Sequence, residues 1–188
     1  MKNLGFIALF GLMATPALAH VGEGAQAHFT AGFSHPFGGL DHCLAMIAVG
    51  LIAAFLGGRA RFTVPLSFLG AMLAGFVVGA GKIFALPAYE AMIVASVIGL
   101  GMALAIARPL PLALVAGVTA LFGFAHGFAH GIEGELTPAY AAGFLIATAI
   151  LHGIGIGAGL LVERFAMPLL FRIAGGAIAL AGLVLAVA

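Results

Sequence analysis

Charge is what this chain has least of. Asp, Glu, Lys and Arg together make up 7% of its 188 residues, against about 25% in soluble domains. So few charges cannot cover a water-facing surface, which excludes an ordinary soluble globular protein. A formal net charge of +1 gives no electrostatic reason to expect nucleic acid or any other polyelectrolyte partner. The single cysteine, Cys43, excludes an intrachain disulfide framework. There is no nucleotide-binding loop, so the chain is not expected to hydrolyse ATP, and no ATPase subunit is evident. Neither an internal repeat nor a low-complexity tail is present.

What remains is apolar: the hydrophobic fraction is 64%. Lys2, the short run Gly5 to Ala14 and the small-x-small triplet Ala17-Leu18-Ala19 read as a secretory signal over residues 1–19. That run is shorter than the roughly 20 apolar residues of a spanning helix. Cleavage after Ala19 makes His20 the new N-terminus. Residues 20–188 read as a single transmembrane domain, with apolar stretches at 36–57, 62–81, 88–107, 109–130, 138–162 and 166–187. Each can cross a hydrocarbon core of about 30 Å at 1.5 Å per residue. The expected fold is an all-α, polytopic membrane bundle of six helices. Pro36, Pro109, Pro138 and Pro168 fall where helices would begin, the position proline tolerates.

Basic residues set the orientation. With an exported N-terminus and an even number of spans, both termini lie outside. The inner connections then carry Arg59, Arg61, Arg108 and Arg164, with Arg172 close by, and the outer ones only Lys82. Glu23, Glu133 and Glu135 fall on the outer side. Glycines spaced four apart, Gly75 with Gly79, Gly153 with Gly157 and Gly155 with Gly159, are read as close-packing positions between helices. Phe76, Met72, Met92 and Met102 are read as packing or lipid-facing.

Ionisable groups in lipid are costly, and each is a functional hypothesis by default. In the run from His35 to Met46, His35, Asp41 and His42 bring two imidazoles and a carboxylate to a helix start. If that helix begins at His35, then His35, His42 and Met46 share a face. Further along, His126, His130 and Glu133 fall within about 60° of one another on a helical wheel. His152 stands alone, roughly 20 Å from the outer end of its helix. Glu90 is an extra acid near the outer side. His20, with a free amine and a ring nitrogen, and His28, in a Gly, Ala and Gln segment expected to be loose, could capture metal ahead of His35. The metal-ligand candidates are therefore His35, Asp41, His42, His126, His130, Glu133, His152 and His20, with Met46, Glu90 and His28 secondary. Cys43 is read as a small packing residue.

The segment His35-Pro-x-x-Gly-x-Asp41-His42-x-x-x-Met46 resembles the signature of the HupE/UreJ family of nickel permeases and hydrogenase or urease accessory proteins. His126-Gly-x-Ala-His130-Gly-x-Glu133 is similar to that family's second motif, and so is Gly143-Phe144-x-x-Ala147-Thr148-x-x-Leu151-His152. The resemblance covers nearly the whole chain. It implies a secondary transporter of nickel or cobalt in the bacterial inner membrane, and it implies that His35, Asp41, His42, His130 and Glu133 matter for transport.

The expected function is uptake of a divalent transition metal, nickel first and cobalt next, by a permease that is not an enzyme and carries no permanent cofactor. Imidazole and carboxylate ligands suit such borderline ions. Two readings stand beside it. One is a membrane-embedded zinc enzyme using His42, His126 and His130. The other is a haem-binding electron carrier with two axial histidines. The expected partners are the metal ion and the bilayer; the oligomeric state is open.

Overall fold

The computed structural model describes residues 25–188, in which every regular element is an α-helix. The signal segment 1–19 and His20 lie outside the described residues. The helices are α1 (Ala25–Gly38), α2 (Leu40–Leu56), α3 (Ala60–Ala80), α4 (Tyr89–Ile106), α5 (Leu112–Glu133), α6 (Pro138–Arg164) and α7 (Leu169–Leu185). The six expected stretches reappear as α2 to α7. Helices α3, α4, α5 and α6 are long and apolar enough to cross a membrane; α1 and α2 pass that test as a pair, and α7 has 17 residues, at the lower limit for a span.

The first expected helix is corrected. It was placed from residue 36, but the chain bends by 84° between α1 and α2. The break falls at Gly39, whose backbone is extended (φ −116°, ψ 126°). Pro36 therefore lies near the end of α1 instead of opening a helix. Its carbonyl accepts the Cys43 thiol at 3.2 Å. Asp41, in the first turn of α2, accepts the His42 backbone N–H at 2.8 Å, so a side chain meets one of the donors a helix start leaves over. Pro109 is also displaced, because α5 begins only after Pro111. Pro138 does open α6, where the Thr137 hydroxyl accepts from the Tyr140 N–H.

The segment holding His28 was expected to be loose and is helical instead. Phe29 and Phe33 stack along α1, and the backbones at Gly32 and Gly143 lie against Tyr140 and Phe29 of the facing helices. Small residues decide the helix pairing throughout. Helix α3 lies on α5, α2 and α1 on α6, and α4 on α7. A methyl group added at Gly75, Gly79, Gly123, Gly127 or Gly131 would meet the backbone of the partner helix in the α3–α5 pair. Gly50 and Gly155 do the same between α2 and α6. Such contacts let backbones approach closely where lipid supplies no hydrophobic drive for helix association. Gly153 and Gly157 do not take part, since nothing lies within 4 Å of the side chain either would carry. The spacing of four occurs on both faces of α6, and only the face of Gly155 and Gly159 has a partner. Leu66, Leu121, Ile150 and Leu180 point outward, as lipid requires.

Candidate metal path

The short connections put the chain's polar residues at two ends of the bundle. One end holds Arg61, whose guanidinium donates to Glu163 at 2.9 Å across α3 and α6, and Arg172, which donates to the Ile106 carbonyl at 3.2 Å. The other end holds the histidines.

At the histidine end four imidazoles form a string. The ring centres of His35 and His130 are 4.7 Å apart, those of His130 and His42 5.3 Å, and those of His42 and His126 4.7 Å. His35 and His42 are farther apart, at 6.3 Å. With metal–nitrogen bonds of about 2.0–2.1 Å, two imidazoles sharing one ion have ring centres roughly 4.5–5.3 Å apart. Each neighbouring pair in the string has that spacing. As the rings stand, no three His, Cys, Asp or Glu side chains among the described residues converge on one ligating point.

The string comes from three helices, and its packing is indirect. Helix α5 presents His126 and His130 while its glycines hold it on α3, and α2 presents His42 while it lies on α6. The imidazoles of α2 and α5 meet across the space between the two helix pairs. The expectation that His35, His42 and Met46 share one helix face fails at Gly39. His35 reaches the string from α1 instead. The expected stripe of His126, His130 and Glu133 stands, because α5 runs through to Glu133.

The partners of each ring fix which nitrogen is free. His35 Nε2 lies 3.1 Å from Glu133 Oε2, and His42 Nδ1 lies 3.0 Å from Asp41 Oδ1. An ionised carboxylate only accepts, so those nitrogens donate, and His42 keeps a lone pair on Nε2. His126 Nε2 lies 3.0 Å from Ser96 Oγ, and the Ser96 hydroxyl gives its one proton to the Ile93 carbonyl at 2.6 Å. His126 Nε2 must therefore donate, which leaves Nδ1 as a bare acceptor. Metal-binding histidines have this pattern, with one nitrogen anchored to an oxygen and the other open. His42 Nε2, His126 Nδ1 and both nitrogens of His130 are buried and have no hydrogen-bond partner. His130 is held by stacking on Phe144, with ring planes 3° apart.

Exposure is highest at the rim and lowest in the core, although the buried His130 sits between the two partly exposed rings. The Glu133 side chain is 47% exposed, His35 28% and His42 12%, and His126 and His130 are fully buried. The arrangement leads from a carboxylate rim to imidazoles in the core. His28 also stands at the rim, where its Nδ1 lies 2.6 Å from Glu135 Oε2. Glu90 is exposed, accepts the Tyr89 hydroxyl at 3.2 Å, and does not join the string. Met46 is buried one turn beyond His42, and its sulfur accepts from Thr148. His152 is buried apart from the string; its ring faces Phe68, which also faces His126.

Sequence reasoning missed Ser96, Phe68 and Tyr140, and it named Phe144 only within the third motif, with no role. Ser96 carried a signal, being the one serine or threonine in the apolar helix α4. Phe68 and Tyr140 carried none, because nothing separates them from the other phenylalanines and tyrosines until the rings they touch are known.

The match to known proteins covers these same elements. The family model described as HupE / UreJ protein matches residues 7–185. Protein HupE of Rhizobium leguminosarum bv. viciae is 44% identical over 194 aligned residues, covering 100% of both chains. The chain belongs to the HupE/UreJ family. No solved structure matches it. HupE/UreJ proteins are membrane permeases or accessory proteins and not enzymes, so the zinc-enzyme reading of His42, His126 and His130 falls. Within this HupE/UreJ chain the histidine string and its two carboxylates lie in the matched region.

Proposed function

We propose that the chain is a secondary transporter that takes up a divalent transition metal, nickel first and cobalt next, through the bacterial inner membrane. The observation that carries this reading is the string His35–His130–His42–His126, which joins an exposed carboxylate rim to buried rings with open nitrogens. Glu133 and Asp41 draw in a hydrated cation and offset its charge as it enters low dielectric. Imidazoles then replace its water, and they suit nickel, cobalt and zinc better than magnesium or calcium. Neutral nitrogen ligands in a row allow transfer from pair to pair. A path must hold its ion weakly enough to release it, and a string meets that need better than a closed cage.

The rim faces outward in this reading and the arginine end inward, as the positive-inside rule requires. An inward-negative potential then favours uptake by roughly 2.3 kcal/mol per charge per 100 mV. His20, and His28 paired with Glu135, feed the rim. Against the haem reading, the neighbouring ring centres are 4.7 to 5.3 Å apart, too close for axial ligands on opposite faces of a macrocycle, whose centres lie roughly 6 Å apart at metal–nitrogen bonds of about 2.0 Å. The test is uptake by proteoliposomes with nickel, cobalt, zinc and copper compared in parallel. Nickel or cobalt should enter faster than through protein-free liposomes and should compete with each other. Metal flux equal to that of empty liposomes would refute the proposal.

A further inference from the structure

Beyond His42 the core holds a second polar group that the rim and string do not use. Met46 follows His42 by one turn of α2, Met72 faces it from α3, and Thr148 faces both from α6; all three are fully buried. The Thr148 hydroxyl lies 3.3 Å from Met46 Sδ and 3.7 Å from Met72 Sδ. This differs from the other hydroxyls in these helices. Thr119, Ser96 and Ser67 each donate to a carbonyl of their own helix, the usual resort of a hydroxyl in an apolar helix. Thr148 turns away from its own backbone toward two sulfurs.

One turn further along the same face of α6 lies His152, 2% exposed, with no hydrogen-bond partner on either ring nitrogen. Its backbone is fixed by the closest approach of α2 and α6, where Gly50 meets the His152 carbonyl and Gly155 meets that of Ile47. Two thioethers and a hydroxyl thus meet from three helices beside the string, with Met72 level with Gly127, and an open imidazole follows one turn further in on α6.

Building on the transport reading, we propose that Met46, Met72, Thr148 and His152 form a second, inner station for the transported divalent ion. Thioether and imidazole donors discriminate in a way the rim cannot. Carboxylates at the rim also attract magnesium, calcium and manganese, whereas thioether sulfur favours softer ions. The inner station therefore selects after the rim has concentrated cations. Weak thioether ligation also suits a position from which the ion must leave.

The full-length protein in nanodiscs is loaded with nickel, and bound metal is counted by mass spectrometry alongside nickel X-ray absorption. Wild type should hold two ions per chain and show a sulfur scatterer at saturation. The Met46→Leu/Met72→Leu pair nearly conserves volume. It should lose the sulfur shell and one ion, keep the other, and slow liposome uptake at least tenfold. Cys43→Ser should keep the sulfur shell, which excludes the thiol as its source. His152→Gln, which keeps a polar side chain of similar length, should also drop to one ion and gives a second route if the methionine pair folds poorly. A transporting wild type that binds one ion, or shows no sulfur shell, overturns the inner station and leaves the transport reading standing. The same holds if the methionine pair has wild-type uptake. A wild type that neither binds nor moves nickel or cobalt overturns both.

Discussion

The two ends of the bundle satisfy their polar groups in opposite ways. At the arginine end, Arg61 pairs with Glu163 across the α3 and α6 termini and Arg172 closes on a backbone carbonyl. Those side chains reach the surface, and among them only Arg61 Nε is buried without a partner. Along the string every ring except His130 has one nitrogen anchored to an oxygen, and the nitrogens left over on His42 and His126, with both of His130, are buried without a partner. A buried polar atom without a partner costs about 1–3 kcal/mol. A chain evolved only to pack would have put apolar side chains there. Exposed ion pairs can be structural, and the buried open nitrogens are the ligands that the proposed path uses.

That contrast can be broken most sharply at the string itself. His42→Ala and His130→Ala should each abolish uptake, by at least 100-fold, with membrane insertion unchanged by protease mapping. Wild-type rates in correctly inserted variants would show that the rings only pack. Asp41→Asn comes next. It keeps size and an oxygen facing His42 Nδ1 but removes the charge, and neutralising a divalent ion in low dielectric depends on that charge. Near-complete loss of uptake is expected, and retained uptake at the original affinity would reduce Asp41 to a helix-start residue.

Ser96→Ala sharpens the comparison more gently. It frees the anchored nitrogen of His126 without touching any proposed ligand. Loss of such an anchor usually costs 10–100-fold in metal affinity or activity, so about a tenfold rise in half-saturating nickel is expected. An unchanged dependence on nickel would remove His126 from the path. The smallest effect belongs to the other end. Arg61→Ala with Glu163→Ala should leave uptake within about twofold and change stability by about 1 kcal/mol or less, as for exposed pairs generally. A large loss of transport there would mean that the arginine end also handles the ion.

Much of this was legible in the sequence for physical reasons. The scarcity of charge dictated a membrane bundle, and helical periodicity placed His126, His130 and Glu133 on one stripe, where α5 carries them. The apolar runs located α2 to α7 to within a few residues. The bend was not legible, because Gly38-Gly39 after Pro36 permits a break without requiring one. Only packing of Phe29, Gly32 and Phe33 on α6 makes α1 a separate helix. The glycine faces were equally hidden. Gly153 and Gly155 look alike in a sequence, and only the position of α2 gives one of them a partner. His42 and His126 lie on helices that are not packing partners, so their meeting depends on how two helix pairs face each other, a tertiary fact no local pattern encodes.

The central claim is that the open nitrogens are there for a metal. The most direct measurement is X-ray absorption of nickel at one equivalent per chain in the full-length protein. The account predicts scattering from at least two imidazoles, reduced in His42→Ala and lost when His42→Ala and His130→Ala are combined. Nickel held by oxygen alone, or an imidazole signal that survives both substitutions, would contradict it.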